Sequence, residues 1–196
     1  MNEQHDPVRR AVMMALAALP LSRTSSVLAD SAVRQTGSRT LVAYFSRSGS
    51  TRVVAGLIQR ALGTDLFEIR PAAAYPEDYL KTVEQARQER DAGYEPPLEA
   101  MISNMTLYDT VFLGFPIWGE TTPPVIRAFM SEHDLSGKTL IPFITHGGYG
   151  LGSSHTVLAS HAPKARLSKG FAMEADQERQ TMNRVESWLS TVKSNV

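Results

Sequence analysis

A short apolar segment, residues 40–45, is followed at once by a turn rich in hydroxyl side chains and then by a helical pattern in residues 52–62. An unbroken apolar run of this length is typical of a strand that is buried on both faces of a parallel sheet. Strand, turn and helix in this order form the repeating unit of α/β folds, so this segment constrains the fold more than any other. The turn consists of Ser46, Arg47, Ser48, Gly49, Ser50 and Thr51.

This turn has the properties of a phosphate-binding loop. Backbone N–H groups at the start of a helix have no partner within the helix, and the helix dipole favours an anion there. The hydroxyl groups add donors, and Gly49 allows the backbone to approach a ligand closely. The loop has no lysine and lacks the G-x-x-x-x-G-K-[ST] motif of nucleotide triphosphatases, so it suits a terminal monophosphate. Taken alone, it is equally compatible with an ordinary turn in which a serine caps the helix. Arg47 either points to solvent or contacts the phosphate directly.

Length and composition restrict the class of protein. The chain has 196 residues, no cysteine, and 20 basic and 20 acidic side chains. This length suits one α/β domain. The composition gives no sign of a disulfide scaffold, a zinc site or a basic surface for nucleic acids. No apolar segment reaches the roughly 20 residues that a membrane-spanning helix needs.

Residues 1–29 have the layout of a secretory signal. Arg9 and Arg10 stand directly before an apolar run, residues 11–21, and small side chains precede a plausible cleavage point after Ala29. Paired arginines in this position indicate a twin-arginine signal. We therefore expect the folded protein to be exported to the periplasm or beyond.

One residue departs from the twin-arginine pattern, and two other interpretations of residues 1–29 stay open. Val8 stands where a polar residue is usual in such signals. The same residues are also compatible with an amphipathic helix that packs on the domain, and with a cytoplasmic protein whose first helix is dispensable. We expect a linker over residues 30–38 and the domain over residues 39–196.

The rest of the chain alternates predicted strands with predicted helices. Strands are predicted over residues 40–45, 65–70, 110–115, 139–145 and 166–173. Helices are predicted over residues 51–62, 77–91, 125–130, 153–160 and 177–192. Gly170 weakens the prediction of the fifth strand. The helix over residues 77–91 is charged and is expected to be exposed. The last helix places Met182, Val185, Trp188 and Leu189 on one face.

This alternation predicts an α/β fold with a five-stranded parallel sheet of order 2-1-3-4-5 between two layers of helices. In such sheets a ligand binds beyond the carboxyl ends of the strands, where the strand order reverses. That point lies between the first and third strands. We therefore expect the loops after the first, third and fourth strands to meet at one site.

The loop after the third strand, residues 116–124, contains Trp118. Its indole is suited to form a wall for a flat aromatic ring, or else a hydrophobic lid over the sheet edge. Gly119 supplies a flexible peptide beside that ring. The loop after the fourth strand, residues 145–153, is rich in glycine, so its backbone N–H groups can approach the polar edge of a ring. Tyr149 in this loop either stacks on the ligand or caps the loop.

Two other interpretations of the fourth loop are weak. Gly148, Tyr149 and Gly150 do not have the spacing or the place in the fold of a dinucleotide-binding motif. A hydrolytic triad from a loop serine, a histidine and Asp176 lacks the G-x-S-x-G elbow. The histidines in question are His146, His155 and His161.

Residues 46–51, 116–119 and 145–148, taken together, resemble the flavodoxin family, most closely its bacterial branch of small flavodoxin-like flavoproteins. The resemblance covers about Thr40 to Met173 and implies a flavodoxin-like three-layer sandwich that binds flavin mononucleotide (FMN). It implies that the phosphate lies on Ser46, Ser48, Gly49, Ser50 and Thr51, with Arg47 in the same loop. It implies that the isoalloxazine lies against Pro116, Ile117, Trp118 and Gly119. It implies that the pyrimidine edge lies along Thr145, His146, Gly147, Gly148 and Tyr149.

The sequence departs from this branch at two positions. Gly119 stands where a second tryptophan often occurs, and Tyr149 stands where a small residue is usual. These departures leave open which aromatic side chain covers which face of the flavin.

The resemblance implies a redox protein of one of two classes. The first is an enzyme that passes electrons from NAD(P)H to a quinone or similar acceptor, and the second is an electron carrier between proteins. Residues 1–29 contain three basic and two acidic side chains, which leaves 17 basic and 18 acidic ones in the rest. A net charge of about −1 lacks the acidity with which carrier flavodoxins steer their partners, so we favour the enzyme.

Overall fold

The computed structural model describes residues 37–175 and 178–193. The predicted signal, residues 1–29, and most of the predicted linker lie outside these residues, as does Asp176. The strands are β1 Thr40–Tyr44, β2 Asp65–Glu68, β3 Thr110–Pro116, β4 Thr139–His146, β5 Arg166–Leu167 and β6 Phe171–Glu174. The α-helices are α1 Ser50–Leu62, α2 Tyr79–Asp91, α3 Pro124–Glu132, α4 Ser154–His161 and α5 Glu178–Lys193.

The sheet is parallel and has the order β2-β1-β3-β4-β5, with β6 also paired to β4. The predicted order 2-1-3-4-5 is therefore confirmed. Side chains of a strand alternate between the two faces, and both faces of this sheet are buried. Leu41 and Ala43 enter a core with α3 and α4, whereas Val42 and Tyr44 enter a second core with α1 and α5. The result is the expected sandwich of helices, sheet and helices.

The prediction of one continuous strand over residues 166–173 is wrong, because the strand is interrupted opposite Pro142. Leu140 accepts a hydrogen bond from the N–H of Ser168 at 2.9 Å, so alternate residues of β4 face this edge strand. Pro142 is the next residue on that side, and it has no N–H to donate. Gly170 passes the gap with a φ of 70°. A side chain at Gly170 would collide with the Pro142 carbonyl oxygen, 2.1 Å from an added Cβ.

The buried face of α5 also differs from the prediction at one residue. Val185 and Leu189 are buried and Trp188 is half-buried, as expected, but the Met182 side chain is 55% exposed. Thr181 takes its place, since positions 181, 185 and 189 follow the four-residue spacing of one helix face.

Two helix starts are set by local chemistry. The side chain of Asp78 accepts a hydrogen bond from the Lys81 N–H at 2.8 Å and caps α2, so this helix begins at Tyr79 and not at residue 77. Pro124 occupies the first turn of α3, where its missing N–H is not needed. Because α3 follows the β3 loop directly, it fixes the far end of that loop.

Candidate functional site

The loop between β1 and α1 leaves a helix N-terminus open. Gly49 is the N-cap residue, with a φ of 102°, and no side chain caps the helix. The Gly49 N–H donates to the Ser46 Oγ at 3.1 Å, which closes the loop upon itself. The serine-capped turn, the alternative that the sequence left open, is therefore not what forms. The N–H groups of the first turn point out of the helix, as an anion site requires.

Three side chains of this loop lie in different surroundings. Ser48 is exposed, and Arg47 turns along the cleft described below, where its Nη2 donates to the Glu77 carbonyl at 2.6 Å. The Arg47 guanidinium also lies over the Tyr79 ring, 5.9 Å from its centroid. Thr51 is buried, and its hydroxyl group pairs with that of Thr145 in the protein interior. Thr51 therefore offers a ligand its backbone, not its hydroxyl group.

The loop after β3 makes a tight turn in which two consecutive residues have positive φ. Ile117 first continues the sheet, since its N–H donates to the Thr145 carbonyl at 2.8 Å. Trp118 and Thr121 then exchange two backbone hydrogen bonds of 3.1 and 3.2 Å. Between them, Gly119 and Glu120 have φ values of 54° and 62°, as in a type I′ turn. Glu120 is the one non-glycine residue with positive φ in the described part of the chain.

The start of α4 holds this turn in place. The Ser153 N–H donates to the Glu120 carbonyl at 2.9 Å, and the Ser153 hydroxyl donates to the Thr121 Oγ1 at 2.8 Å. Gly152 permits the close approach, because a Cβ there would lie 1.8 Å from the Glu120 carbonyl oxygen. Nothing in the sequence spacing of residues 120 and 152 indicates that they touch, so this support was not predictable.

Trp118 is half-buried and serves two surfaces. The rings of Phe45 and Tyr75 meet it edge to face, at centroid distances of 5.2 and 4.8 Å. The Tyr75 hydroxyl donates to the Glu89 carboxylate at 2.7 Å. Burial and the neighbouring Glu89 raise the pKa of Tyr75 above its ordinary value, so the phenol stays protonated and this bond persists. Phe45 and Tyr75 thus support Trp118 on its buried side, while another part of its ring borders the cleft.

The loop after β4 contributes mainly backbone. The Gly148 N–H donates to the His146 Nδ1 at 3.2 Å, and Gly148 has a φ of 98°. Gly147 lines the cleft. The Tyr149 side chain is 87% exposed, so the ring neither caps the loop nor packs on it.

These loops border one cleft of about 520 Å³ at the carboxyl ends of the strands. Sites for small molecules occupy about 300 to 1,000 Å³. The loop after β1 contributes Arg47 and Ser48, and the loop after β4 contributes Gly147. The end of β3 and the loop after it contribute Pro116, Ile117, Trp118, Gly119 and Thr121, and α3 contributes Pro124. The opposite wall is α2, which supplies Tyr79, Thr82, Val83, Ala86, Arg87 and Arg90. The prediction that the three loops meet is therefore supported. The predicted exposed helix over residues 77–91 is also a wall of this cleft, which its charged sequence did not indicate.

The comparison with known families agrees with this geometry. Residues 39–192 match the model of the family described as Flavodoxin. The chain belongs to the flavodoxin family. No curated protein sequence matches it.

Two solved structures of bacterial proteins are similar to this flavodoxin-family chain. Proteins provisionally named flavoproteins from Bacteroides uniformis and Bacteroides eggerthii are 31% and 33% identical to it. They cover 77% and 79% of this chain and 97% of their own chains, with TM-scores of 0.67 and 0.68. A flavoprotein in complex with FMN from Lactobacillus acidophilus is 21% identical, covers 74% of this chain and 97% of its own, and has a TM-score of 0.61. The last likeness supports the fold alone.

Family membership supports FMN as the cofactor, and the residues present fit it. The open N-terminus of α1, capped by Gly49 without a side chain, suits the phosphate. The half-buried Trp118 and the neighbouring Pro116 and Ile117 offer an apolar wall for the flat ring. The residues present therefore suit both the phosphate and the ring of FMN.

Residues 37–175 and 178–193 also bear on two other kinds of site, a metal centre and a hydrolytic triad. No group of three or more His, Asp or Glu side chains there is arranged to hold a metal ion. His155 bonds to the Ser168 carbonyl, and His161 bonds to the Val157 carbonyl and pairs with Glu95. The Ser154 side chain is buried, and the Ser153 hydroxyl is taken up by its hydrogen bond to the Thr121 Oγ1. None of the helices in these ranges is long and apolar enough to cross a bilayer.

Proposed function

We propose that the protein holds FMN and transfers electrons from NAD(P)H to a quinone or similar acceptor. The observation that carries the proposal is the open cleft of about 520 Å³ between the turn at Trp118 and the helix α2, which has the size of a small-molecule site and an apolar wall for the flavin ring. The absence of strong net charge from residues 30–196 supports an enzyme over a carrier that steers protein partners.

In this function the protein positions its ligands, and FMN, when bound, supplies the ability to take up a hydride and release its two electrons. The loop at Gly49 binds the phosphate, and Trp118 and Ile117 orient the ring. The apolar walls exclude water from the ring face. In the balanced reaction, NAD(P)H, one proton and a quinone give NAD(P)+ and a hydroquinone.

The test is anaerobic mixing of the FMN-loaded protein with NADH or NADPH, followed by addition of quinones. Loss of the oxidised-flavin absorbance on addition of a nicotinamide, and its return on addition of a quinone, is the expected result. A flavin that is reduced by dithionite but not by either nicotinamide would assign the protein to the carriers. Tyr149 favours that second candidate, since an aromatic ring that is 87% exposed offers a contact to another protein.

We also propose that residues 1–29 direct export of the folded holoprotein. Arg9 and Arg10 before a short apolar run support a twin-arginine route. A cofactor made in the cytoplasm gives such a route a purpose, because a chain that is threaded unfolded would arrive without its flavin. Replacement of both arginines by lysine, followed by cell fractionation, tests the proposal. It fails if the wild type itself remains in the cytoplasm at full length.

A further inference from the structure

The helix α2 is tied across the cleft at both of its ends. Near its start, Arg47 of the phosphate loop donates to the Glu77 carbonyl at 2.6 Å. Near its end, Arg90 donates through Nη1 to the Gly119 carbonyl at 3.3 Å. The helix therefore reaches from the phosphate loop to the turn after Trp118. One of its faces looks across the cleft at the predicted flavin wall.

The middle of this face is apolar. Val83 and Ala86 both line the cleft, three residues apart on one side of the helix. The Val83 side chain is 46% exposed, whereas valine side chains are usually buried in folded proteins. Opposite them lie Ile117 and Trp118. An apolar helix face on the open side of the cleft suits contact with a flat aromatic ring.

The charged side chains that line this apolar gap are all arginines. The lining residues include Arg47, Arg87 and Arg90 and contain no aspartate or glutamate. Among the described residues, no carboxylate lies within ion-pair distance of Arg47. Its guanidinium donates instead to the backbone carbonyl of Glu77.

The two arginines of α2 are held mainly by exposed ion pairs. Arg87 pairs with Glu84 and Asp91, and Arg90 pairs with Asp91. These carboxylate side chains are about half exposed, at 52% and 50%. Exposed ion pairs of this kind contribute only about 0 to 1 kcal/mol, so an anion in the cleft can compete for the guanidinium groups.

We infer that the substrate of this cleft is a flat aromatic ring that carries an anionic group, with its ring against Val83 and Ala86 and its anion at Arg87 and Arg90. The inference rests on the proposed function, because it takes the wall at Trp118 to be occupied by FMN. It names the substrate class that the proposed function left open. Arg87 and Arg90 then determine specificity for the substrate, whereas Arg47 belongs to the phosphate loop.

A redox-inert pair of probes tests the inference apart from catalysis. Naphthalene-2-sulfonate and naphthalene-2-sulfonamide share ring and shape but differ in charge. Calorimetric titration into the FMN-loaded protein should show about tenfold tighter binding of the sulfonate, the preference expected for a hydrogen bond to a charged group. Arg87→Gln and Arg90→Gln should each remove most of this preference.

Lys81→Gln is the matched control, because Lys81 carries the same charge on the same helix but does not line the cleft. It should keep the preference for the sulfonate, and all three variants should retain FMN. Equal binding of the two probes, or a preference that survives in both arginine variants, would overturn the inference. Sulfonate binding without any turnover of quinones would support the inference and contradict the proposed enzyme.

Discussion

The Thr51 Oγ1 lies 2.9 Å from the Thr145 Oγ1, with both side chains almost fully buried. This hydrogen bond joins the first turn of α1 to the end of β4. It therefore fixes the phosphate loop relative to the loop that is expected to follow the flavin edge.

Thr51→Val should lower the free energy of unfolding by about 1 to 3 kcal/mol, because it leaves the Thr145 hydroxyl buried without this partner. Thr145→Val should have a similar effect. The double variant should be more stable than the sum of the two losses, since it buries no orphaned hydroxyl group. Urea denaturation of the four proteins gives the coupling. Strictly additive losses would show that the two hydroxyl groups do not interact.

Ser48→Asp should weaken FMN binding by at least about tenfold, because it places a negative charge beside the expected phosphate. Ser48→Asn is the control, since asparagine has the same shape without the charge. Fluorescence titration of FMN into apoprotein measures both. Equal affinity of the aspartate and asparagine variants would place the phosphate elsewhere.

Trp118→Ala should weaken the binding of FMN by about 1 kcal/mol or more, through loss of ring stacking. It should also shift the reduction potential of the bound flavin, because stacking affects the two redox states differently. Trp118→Phe should retain most of the affinity. If the alanine variant is less stable but keeps native affinity and potential, Trp118 serves only as a lid over Phe45 and Tyr75.

Glu120→Gly should raise the free energy of unfolding or leave it unchanged, since a left-handed backbone conformation costs a non-glycine residue about 1 to 2 kcal/mol. Glu120→Val should lower it, because a β-branched residue tolerates this conformation poorly. Thermal denaturation measures the difference. Gly152→Ala should be more damaging than either, as its Cβ would collide with the Glu120 carbonyl.

His133 should make the protein less stable in mild acid. Its Nε2 accepts a hydrogen bond from the Ile102 N–H at 3.0 Å, and its Nδ1 faces the Phe129 carbonyl at 2.8 Å, so the buried ring is neutral with the proton on Nδ1. Burial lowers the pKa of His133 below its ordinary value of 6.5. As the pH falls below about 6.5, the histidine of the unfolded chain binds a proton before that of the folded chain does. The free energy of unfolding is therefore highest above this pH and falls as the pH drops from about 6.5 to the lowered pKa of the folded state.

Unfolding measured between pH 7.5 and 5 tests this pH dependence. His133→Gln, which can make both hydrogen bonds without titrating, should show a shallower decline than the wild type. His155→Gln should keep the wild-type slope, because it removes a histidine near the surface. Identical slopes in all three proteins would assign the acid sensitivity to other groups.

The order of the sheet was predictable because each buried strand of this chain is a short apolar run between polar turns. The open loop at Gly49 and the placement of Trp118 followed from the same pattern, since the carboxyl ends of parallel strands meet at one edge. The wall formed by α2 was not predictable, because a helix with few apolar residues has the pattern of a solvated surface. The contact between Glu120 and Gly152 depends on tertiary packing alone.

The interruption opposite Pro142 also affects how this sheet meets other chains. An exposed edge strand with a long row of free N–H and C=O groups pairs readily with a neighbouring molecule. Here the edge consists of β5, two residues long, and β6, four residues long, with the bend at Gly170 between them. Neither piece offers a straight row long enough to template a foreign strand. The proline inside the core thus protects this edge of the sheet, opposite the edge formed by β2, against edge-to-edge aggregation.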